Sequence, residues 1–351
     1  MDSKKRLELM GKIPVAFPRG QKNSITDVIG VKVGHLTINK DLKDRSGEKI
    51  FIRTGLTAII PYDMKEEKRL FAACFLFRSK NEITGYEVID DFCYLNSPVV
   101  ISNSYNIGKV YNAILSFGFS LNRTEIWPPV VVGVNDSYLN DINKFSLDES
   151  QVLQALLDSS SGYIEEGSVG IGIGLRAFSW KGGIGTSSRI LSLDNRRFSL
   201  GTLVAANHGN KANLEMENPN QNIAPSQRMN GSLAIILATD IPLAPYQIKL
   251  IVTSLVAGLP SKNILENPED PITCFLFSTA NTMSLENEGP LVFNYSFVND
   301  CAVERIVRAG TEAIKEAILR SLLLSTSVQG RLGRKAEAIP EKEFREIQKQ
   351  F

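Results

Sequence analysis

Histidine is scarce in this sequence of 351 residues, and its scarcity limits the chemistry available to the protein. The two histidines, His35 and His208, lie far apart, and neither belongs to a His-Glu-x-x-His motif or to a Cys/His cluster. Zinc sites are built from such groups, so we expect no metal and no cofactor. Gly-x-Ser-x-Gly, which presents the nucleophile of α/β-hydrolases, is also absent. A hydrolase with this sequence would therefore use a base other than histidine.

The sequence also lacks an excess of charge and a long apolar run. Lysine and arginine number 39 against 38 acidic residues, which gives a net charge of +1. Because no basic stripe interleaved with aromatic residues occurs, nucleic acid is not expected as a partner. No apolar run reaches the length of a membrane span, and no apolar core of signal-peptide length follows the charged N-terminal residues. These absences predict a cytoplasmic protein with no membrane partner.

What is present is the composition of a globular protein. Apolar residues make up 43% of the chain and charged residues 22%, values that are ordinary for a protein with a core. The length suits one large domain or two smaller ones. Four cysteines form no Cys-x-x-Cys pair, and Cys74 and Cys274 lie in apolar runs, which predicts buried free thiols.

Short apolar runs bounded by glycine, proline or asparagine predict buried β-strands. These runs cover residues 54–61, 70–77, 98–102, 129–134, 200–207, 233–239 and 272–278. Helical patterns cover residues 107–117, 150–157, 245–257 and 302–324. Because strands and helices do not alternate strictly, the order favours a layered α/β or α+β architecture over a doubly wound sheet.

Glycine is concentrated in the centre of the chain. Gly170, Gly172 and Gly174 begin like a dinucleotide fingerprint, but Leu175 occupies the position of its last glycine and no good helix start follows. Lys181 precedes its neighbouring glycines, so this stretch is no P-loop. We interpret the glycines as marks of bulges and close backbone contacts in a sheet.

Asn230-Gly231-Ser232 stands between a polar connector and the apolar run 233–239. Asn-Gly is a strong hairpin signal, but a hairpin needs strands on both sides, and residues 210–229 show no alternating pattern. A second interpretation is a cleavage site. If the Gly231–Ser232 bond were cut, Ser232 would become an N-terminal residue with a hydroxyl nucleophile and its own amine as base.

Several separated stretches together resemble one family, the DmpA-type aminopeptidases, which include the L-aminopeptidase/D-esterases and the β-aminopeptidases. These stretches are residues 23–35, 53–61, 167–189, 203–209, 231–243 and 278–281, in the order of the family. The resemblance covers nearly the whole chain. Each motif is weak alone, whereas the ordered series is specific.

The resemblance implies a single-domain αββα sandwich over residues 1–351, layered like the N-terminal nucleophile hydrolases but connected differently. It also implies self-cleavage into residues 1–231 and 232–351, which stay associated, usually in a homotetramer. Ser232 is then the catalytic nucleophile, and Asn207 helps to hold the oxyanion. Without the resemblance, a strand-end residue that satisfies a turn is the better explanation of Asn207.

Two stretches depart from the pattern of the family. A serine and an acid normally precede the strand that leads to residues 278–281; here residues 266–271 contain no serine, and Glu269 or Asp270 takes the place of the acid. The Gly-Glu-Thr-aromatic-Asp stretch is replaced by a shorter one that begins at Gly133. The usual tyrosine of the site is missing there, which leaves Asn135 and Tyr138 as the candidates for substrate binding.

Three functions follow from this pattern. The first is an autoproteolytic serine aminopeptidase or amidase that acts on small peptides, amides or esters with a free amine. The second is a non-catalytic or uncleaved homologue that serves as a binding or assembly protein, which the altered loop 267–271 suggests. The third is acyl transfer, as in the distantly similar ornithine acetyltransferases; their freed nucleophile is a threonine, so Ser232 argues against it.

Overall fold

Two β-sheets lie face to face between two layers of helices in the computed structural model of the protein. It describes residues 3–78, 82–123, 128–144, 147–209, 231–259, 271–284 and 291–350. The strands are β1 (Lys32–Lys43), β2 (Lys49–Ile60), β3 (Lys68–Phe77), β4 (Tyr94–Leu95), β5 (Val99–Asn103), β6 (Val130–Val134), β7 (Arg176–Ala177), β8 (Trp180–Lys181), β9 (Gly183–Leu193), β10 (Arg196–Asn207), β11 (Ser232–Thr239), β12 (Ile272–Ser284), β13 (Val328–Gln329) and β14 (Lys335–Ala336). The helices are α1 (Ser3–Gly11), α2 (Tyr86–Phe92), α3 (Ile107–Ser120), α4 (Glu149–Leu157), α5 (Pro245–Gly258), α6 (Val303–Leu323) and α7 (Glu341–Gln350).

The two sheets are mixed. The four-stranded sheet has the order β1-β2-β5-β6, and the six-stranded sheet has the order β4-β3-β12-β11-β10-β9. β5 pairs with β6 in parallel, as β11 does with β12. Parallel neighbouring strands need a crossover connection. In the chain, α3 lies between β5 and β6, and α5 lies between β11 and β12. The β7–β8 and β13–β14 hairpins are separate two-stranded ribbons.

The alternation of side chains in β11 shows how the layers are held together. Ala234, Ile236 and Ala238 belong to the core between the two sheets, whereas Leu233, Ile235 and Leu237 belong to the core shared with α5 and α6. Successive residues of a strand point to opposite faces, and both faces of β11 are buried. The strand is therefore a continuous apolar run, which is why the sequence revealed it. The αββα layering predicted from the sequence is confirmed.

The predicted elements lie where the sequence placed them, with ends that move by a few residues. All seven predicted strands and all four predicted helices are present. The sequence missed the long strands β1 and β9, the two-residue strands β4, β7, β8, β13 and β14, and helices α1, α2 and α7. Cys74 and Cys274 are buried free thiols, as predicted. None of the helices in the described part of the chain combines the length and apolar character that a membrane crossing requires.

The central glycines make close backbone contacts with the four-stranded sheet. Residues Gly170–Gly174 form a 3₁₀ turn. Gly170 has a φ of +57°, and a Cβ there would lie 2.4 Å from the Thr57 hydroxyl. A Cβ on Gly174 would lie 2.3 Å from the Arg53 carbonyl oxygen. These positions exclude a side chain, so the predicted close contacts are confirmed, whereas these three glycines lie in a turn packed on the sheet and not in a bulge of one of its strands.

Candidate active site

Ser232 and Asn207 face each other across two neighbouring strands. Ser232 is the first residue of β11, and the antiparallel register pairs it with Asn207, the last residue of β10. Both side chains are buried, and strand alternation places them on the face that looks toward the other sheet. Asn207 Nδ2 lies 3.4 Å from Ser232 Oγ, which is long for a hydrogen bond. The structure thus brings together the two residues that the sequence assigned to catalysis.

Backbone groups hold the Asn207 amide in one orientation. Its Oδ1 accepts from the backbone N–H of Arg176 at 3.0 Å, and its Nδ2 donates to the carbonyl of Asn135 at 2.6 Å. An N–H only donates and a carbonyl only accepts, so these two contacts fix which end of the amide is nitrogen. The second hydrogen on Nδ2 is left for the side of Ser232. The site therefore offers a neutral, preorganised donor beside the serine hydroxyl.

The candidate cleavage site lies where the chain enters β11. Gly231 and Ser232 are both buried, and the strand begins at Ser232 itself rather than one residue later. The N–H of Leu233 donates to the carbonyl of Pro271 at 2.9 Å, so Pro271 lies beside the residue that follows the serine. The candidate acids Glu269 and Asp270 precede Pro271 in the sequence but lie outside the described residues, as does the connector 210–230.

A buried carboxyl group that the sequence did not single out lies next to this site. Asp136 has no exposed surface. Asn103 and Asn140 donate their side-chain amides to it at 3.2 and 3.1 Å, and the Thr54 hydroxyl bonds to it as well. Burial raises the pKa of Asp136 to about 6. Because Asn135 precedes it and accepts from Asn207, Asp136 anchors the turn that holds the Asn207 amide.

The Asp136→Asn variant should change how stability depends on pH. The carboxyl of Asp136 has a pKa of about 6 in the folded protein and its ordinary value of 3.8 in the unfolded chain. Between these two pH values the folded protein therefore keeps a proton that the unfolded chain has lost. Protonation of Asp136 therefore stabilises the wild-type fold at low pH, and this contribution to the free energy of unfolding is lost as the pH rises through 6. The free energy of unfolding of the wild type, relative to the variant, should fall by about 1.4 kcal/mol from pH 5 to pH 8. Urea denaturation at both pH values measures this, with the exposed Asp158→Asn as a control that follows the wild type. An Asp136→Asn curve parallel to the wild type would contradict it.

The two candidate substrate-binding residues have different surroundings. Asn135 uses its carbonyl to hold Asn207, and its Oδ1 accepts from the N–H of Ser137 at 3.0 Å. Tyr138 is partly buried, with the guanidinium groups of Arg176 and Arg334 against its ring. Arg176 thus contacts both Asn207 and Tyr138. No pattern in the sequence singles out Arg176 beyond its place in the glycine-rich stretch.

The remaining buried bases have structural partners or face elsewhere. Lys181 Nζ donates to the carbonyls of Gly172 and Gly182 at 2.5 and 2.7 Å, and burial lowers its pKa to about 7. His208 follows Asn207, so its side chain points to the opposite face, where it packs on Phe178. Burial lowers the pKa of His208 to about 3 and that of His35 to about 4. No described hydrogen bond joins either histidine to Ser232.

Comparisons with known proteins identify the family and the fold. The profile of peptidase family S58 matches residues 23–336. Beta-peptidyl aminopeptidase BapA of Sphingosinicella microcystinivorans is 28% identical over 363 residues, covering 97% of this chain and 91% of that protein. A Burkholderia sp. beta-aminopeptidase structure superposes with a TM-score of 0.85 at 28% identity over 98% of both chains.

A third relative bears on the fold. The L-aminopeptidase D-Ala-esterase/amidase of Ochrobactrum anthropi superposes with a TM-score of 0.85 at 30% identity, again over 98% of both chains. That structure is described as a prototype of the serine aminopeptidases and as a new variant among the N-terminal nucleophile hydrolase fold. The layering and the family expected from the sequence motifs are both confirmed.

Proposed function

Because the chain belongs to peptidase family S58, we propose that Ser232 is the nucleophile of an aminopeptidase that first cuts its own chain at Gly231–Ser232. The protein is a serine hydrolase of the N-terminal nucleophile type. The alternative, a non-catalytic binding or assembly protein, is not favoured. The relatives of this chain are aminopeptidases, and their similarity to it extends over nearly their whole length. The observation that carries the proposal is the Asn207 amide, which is fixed at both ends and has one hydrogen left for the side of Ser232 Oγ.

Self-cleavage would proceed by an acyl shift. Ser232 Oγ attacks the carbonyl carbon of Gly231, and the C–N bond between the two residues breaks as its nitrogen takes up a proton. The resulting ester is then hydrolysed by water, which leaves a carboxylate on Gly231 and a free amine on Ser232. In both steps the negative charge on the carbonyl oxygen would be stabilised by Asn207 Nδ2, worth about 3–4 kcal/mol in comparable oxyanion holes.

Turnover would use the amine that cleavage releases. The α-amine of Ser232 takes the proton from Oγ, and Oγ attacks the substrate carbonyl to give an acyl-enzyme, which water hydrolyses. An α-amine has a pKa of about 8 when unperturbed, so it is partly in its basic form near neutral pH. This chemistry assigns no role to either histidine or to a metal.

The substrates proposed for this site are small peptides, amides or esters with a free amine. The relatives named above as β-aminopeptidases and as an L-aminopeptidase D-Ala-esterase/amidase support this class. Glu269 or Asp270 would supply the counter-charge for the amine, and Tyr138 would contact the substrate; these assignments remain predictions. Alanine at both acidic positions should lower turnover with little change in melting temperature.

A comparison of blocked and free substrates tests this function. N-acetylation of an aminoacyl anilide should lower kcat/KM by roughly 10- to 100-fold, because the charged hydrogen bonds of the ammonium group are lost. The leaving group is the same in both substrates, so the chemical step is matched. Equal rates would contradict recognition of an amine and leave a general amidase.

We also propose that the protein is cytoplasmic and forms a homo-oligomer, which the family resemblance implies is a tetramer. Each chain would fold as one domain before it is cut into residues 1–231 and 232–351. Exposed apolar side chains around α2 and α5 support association: Phe92 is 64% exposed, Tyr246 58% and Leu250 50%. Lys249 of α5 binds Asp90 of α2, which brings these side chains near one another. Apolar surface of this kind is characteristic of interfaces.

A further inference from the structure

Two arginine side chains converge on one tyrosine ring, and one of these arginines is hydrogen-bonded through its backbone to Asn207. The guanidinium carbon of Arg176 lies 4.4 Å from the centre of the Tyr138 ring, and that of Arg334 lies 5.1 Å from it. Tyr138 follows the turn of Asn135, whose carbonyl holds Asn207. The turn before β14 places Arg334, and the start of β7 places Arg176. Two cations from distant parts of the chain thus share one surface.

Neither guanidinium group has a carboxylate partner among the residues that the structure describes. Ion pairs of the described residues include neither Arg176 nor Arg334, and the buried Nε of Arg176 has no hydrogen-bond partner. Burial and the nearby charge of Arg334 both lower the pKa of Arg176. A half-buried cation beside a like charge is unfavourable on its own. A bound anion would relieve both costs.

The position of Arg176 ties this pair to the reacting groups. Its backbone N–H donates to Asn207 Oδ1, and the other end of that amide faces Ser232 Oγ. Successive Cα atoms are about 3.8 Å apart, so a charged group one residue from the scissile bond lies roughly 4–7 Å from the reacting carbonyl. The backbone of Arg176 lies against Asn207, the proposed oxyanion donor, so a substrate carboxylate at this distance is within reach of the Arg176 side chain.

We propose that Arg176, with Arg334, binds a carboxylate group of the substrate, which makes acidic or free-acid peptides the preferred substrate class. This inference rests on the proposed function of Ser232 and Asn207. Arginine suits the role because its planar guanidinium can donate two parallel hydrogen bonds to a carboxylate. Stacking on Tyr138 keeps the side chain in place. The carboxylate belongs either to the C-terminus of the leaving residue or to an acidic side chain on the amine-bearing residue.

Two matched substrate pairs distinguish these sources. Alanyl-alanine against alanyl-alaninamide tests the leaving side, and aspartyl against asparaginyl p-nitroanilide tests the other side. In the wild type, one pair should favour the anionic member in kcat/KM by roughly 10- to 100-fold, the effect of a charge-assisted hydrogen bond. In Arg176→Gln the ratio should fall close to one, mainly through KM. Arg176→Lys should keep part of it, because the charge remains without the planar fork.

Controls separate this proposal from folding and from the proposed function. Arg308→Gln removes an exposed arginine of α6 and should retain the full ratio. Wild-type ratios near one in both pairs, or a ratio that survives Arg176→Gln with an unchanged melting temperature, would overturn the inference. Calorimetric binding of the alanyl-alanine and aspartyl anilide pairs to Ser232→Ala, with and without Arg176→Gln, reports on the carboxylate site without chemistry. If the wild type hydrolysed none of the substrates while binding still depended on Arg176, the proposed function would be refuted and the carboxylate site would be retained.

Discussion

Ser232→Ala should remain a single chain of 351 residues, whereas the wild type should separate on a denaturing gel into residues 1–231 and 232–351. The hydroxyl that attacks the Gly231 carbonyl is absent from the variant, and no amine is released at position 232. Both the nucleophile and its base are then lost. Hydrolysis of an aminoacyl anilide should fall by on the order of 10⁴-fold or more, as when other serine hydrolases lose their nucleophile.

N-terminal sequencing of the smaller wild-type band should read Ser-Leu-Ala-Ile-Ile. Ser187→Ala is the matched control, because Ser187 is also fully buried in the six-stranded sheet but donates its hydroxyl to the Ala313 carbonyl. This control should be cut as the wild type is. Wild-type protein that hydrolyses the anilide while it stays uncut would disprove the mechanism.

Asn207→Ala should slow both self-cleavage and turnover by roughly 10²- to 10³-fold, the usual loss when one oxyanion donor is removed. Asn207→Asp should be at least as slow. Its carboxylate can still accept from the Arg176 N–H, but it cannot donate to an oxyanion and adds a negative charge beside it. The rate of band conversion on gels and kcat for the anilide measure the two steps separately.

Asn281→Ala controls for the loss of a buried amide. Asn281 is 8% exposed, and its amide bonds to the backbone of Ser296. It lies past Ser278, which pairs with Thr239 at the opposite end of β11 from Ser232. This variant should lose stability and keep its cleavage rate. If Asn207→Ala cut itself and hydrolysed the anilide at wild-type rates, Asn207 would have only the strand-end role that its sequence context also allows.

The strands of the two sheets were open to prediction because both of their faces are buried. A strand such as β11 then becomes an unbroken apolar run with a polar boundary. β1 was missed because its residues 39–43 are exposed and, apart from Leu42, polar. Helix α7 was missed because its sequence is mostly charged, with Phe344 and Ile347 as its buried residues.

The site was predicted in part, and its missing parts share a cause. Ser232 and Asn207 were assigned to the candidate site through the family-like motifs that surround them in the sequence. Asp136 was overlooked, since an aspartate after a strand is ordinary in a sequence and becomes unusual only when three side chains close around it. Arg176 was overlooked because its backbone contact with Asn207 and its stacking on Tyr138 join segments about 30 residues or more apart along the chain.

The sequence alone determined the layered architecture and the family, and it predicts the cleavage site at Gly231–Ser232, because burial periodicity and local motifs can be read along the chain. Tertiary structure alone decided which end of the Asn207 amide faces the serine, that Asp136 is buried against amide and hydroxyl groups, and that two arginines meet without a carboxylate among the described residues. These properties depend on the register between distant segments and on the exclusion of water, and neither is encoded in any single stretch of residues.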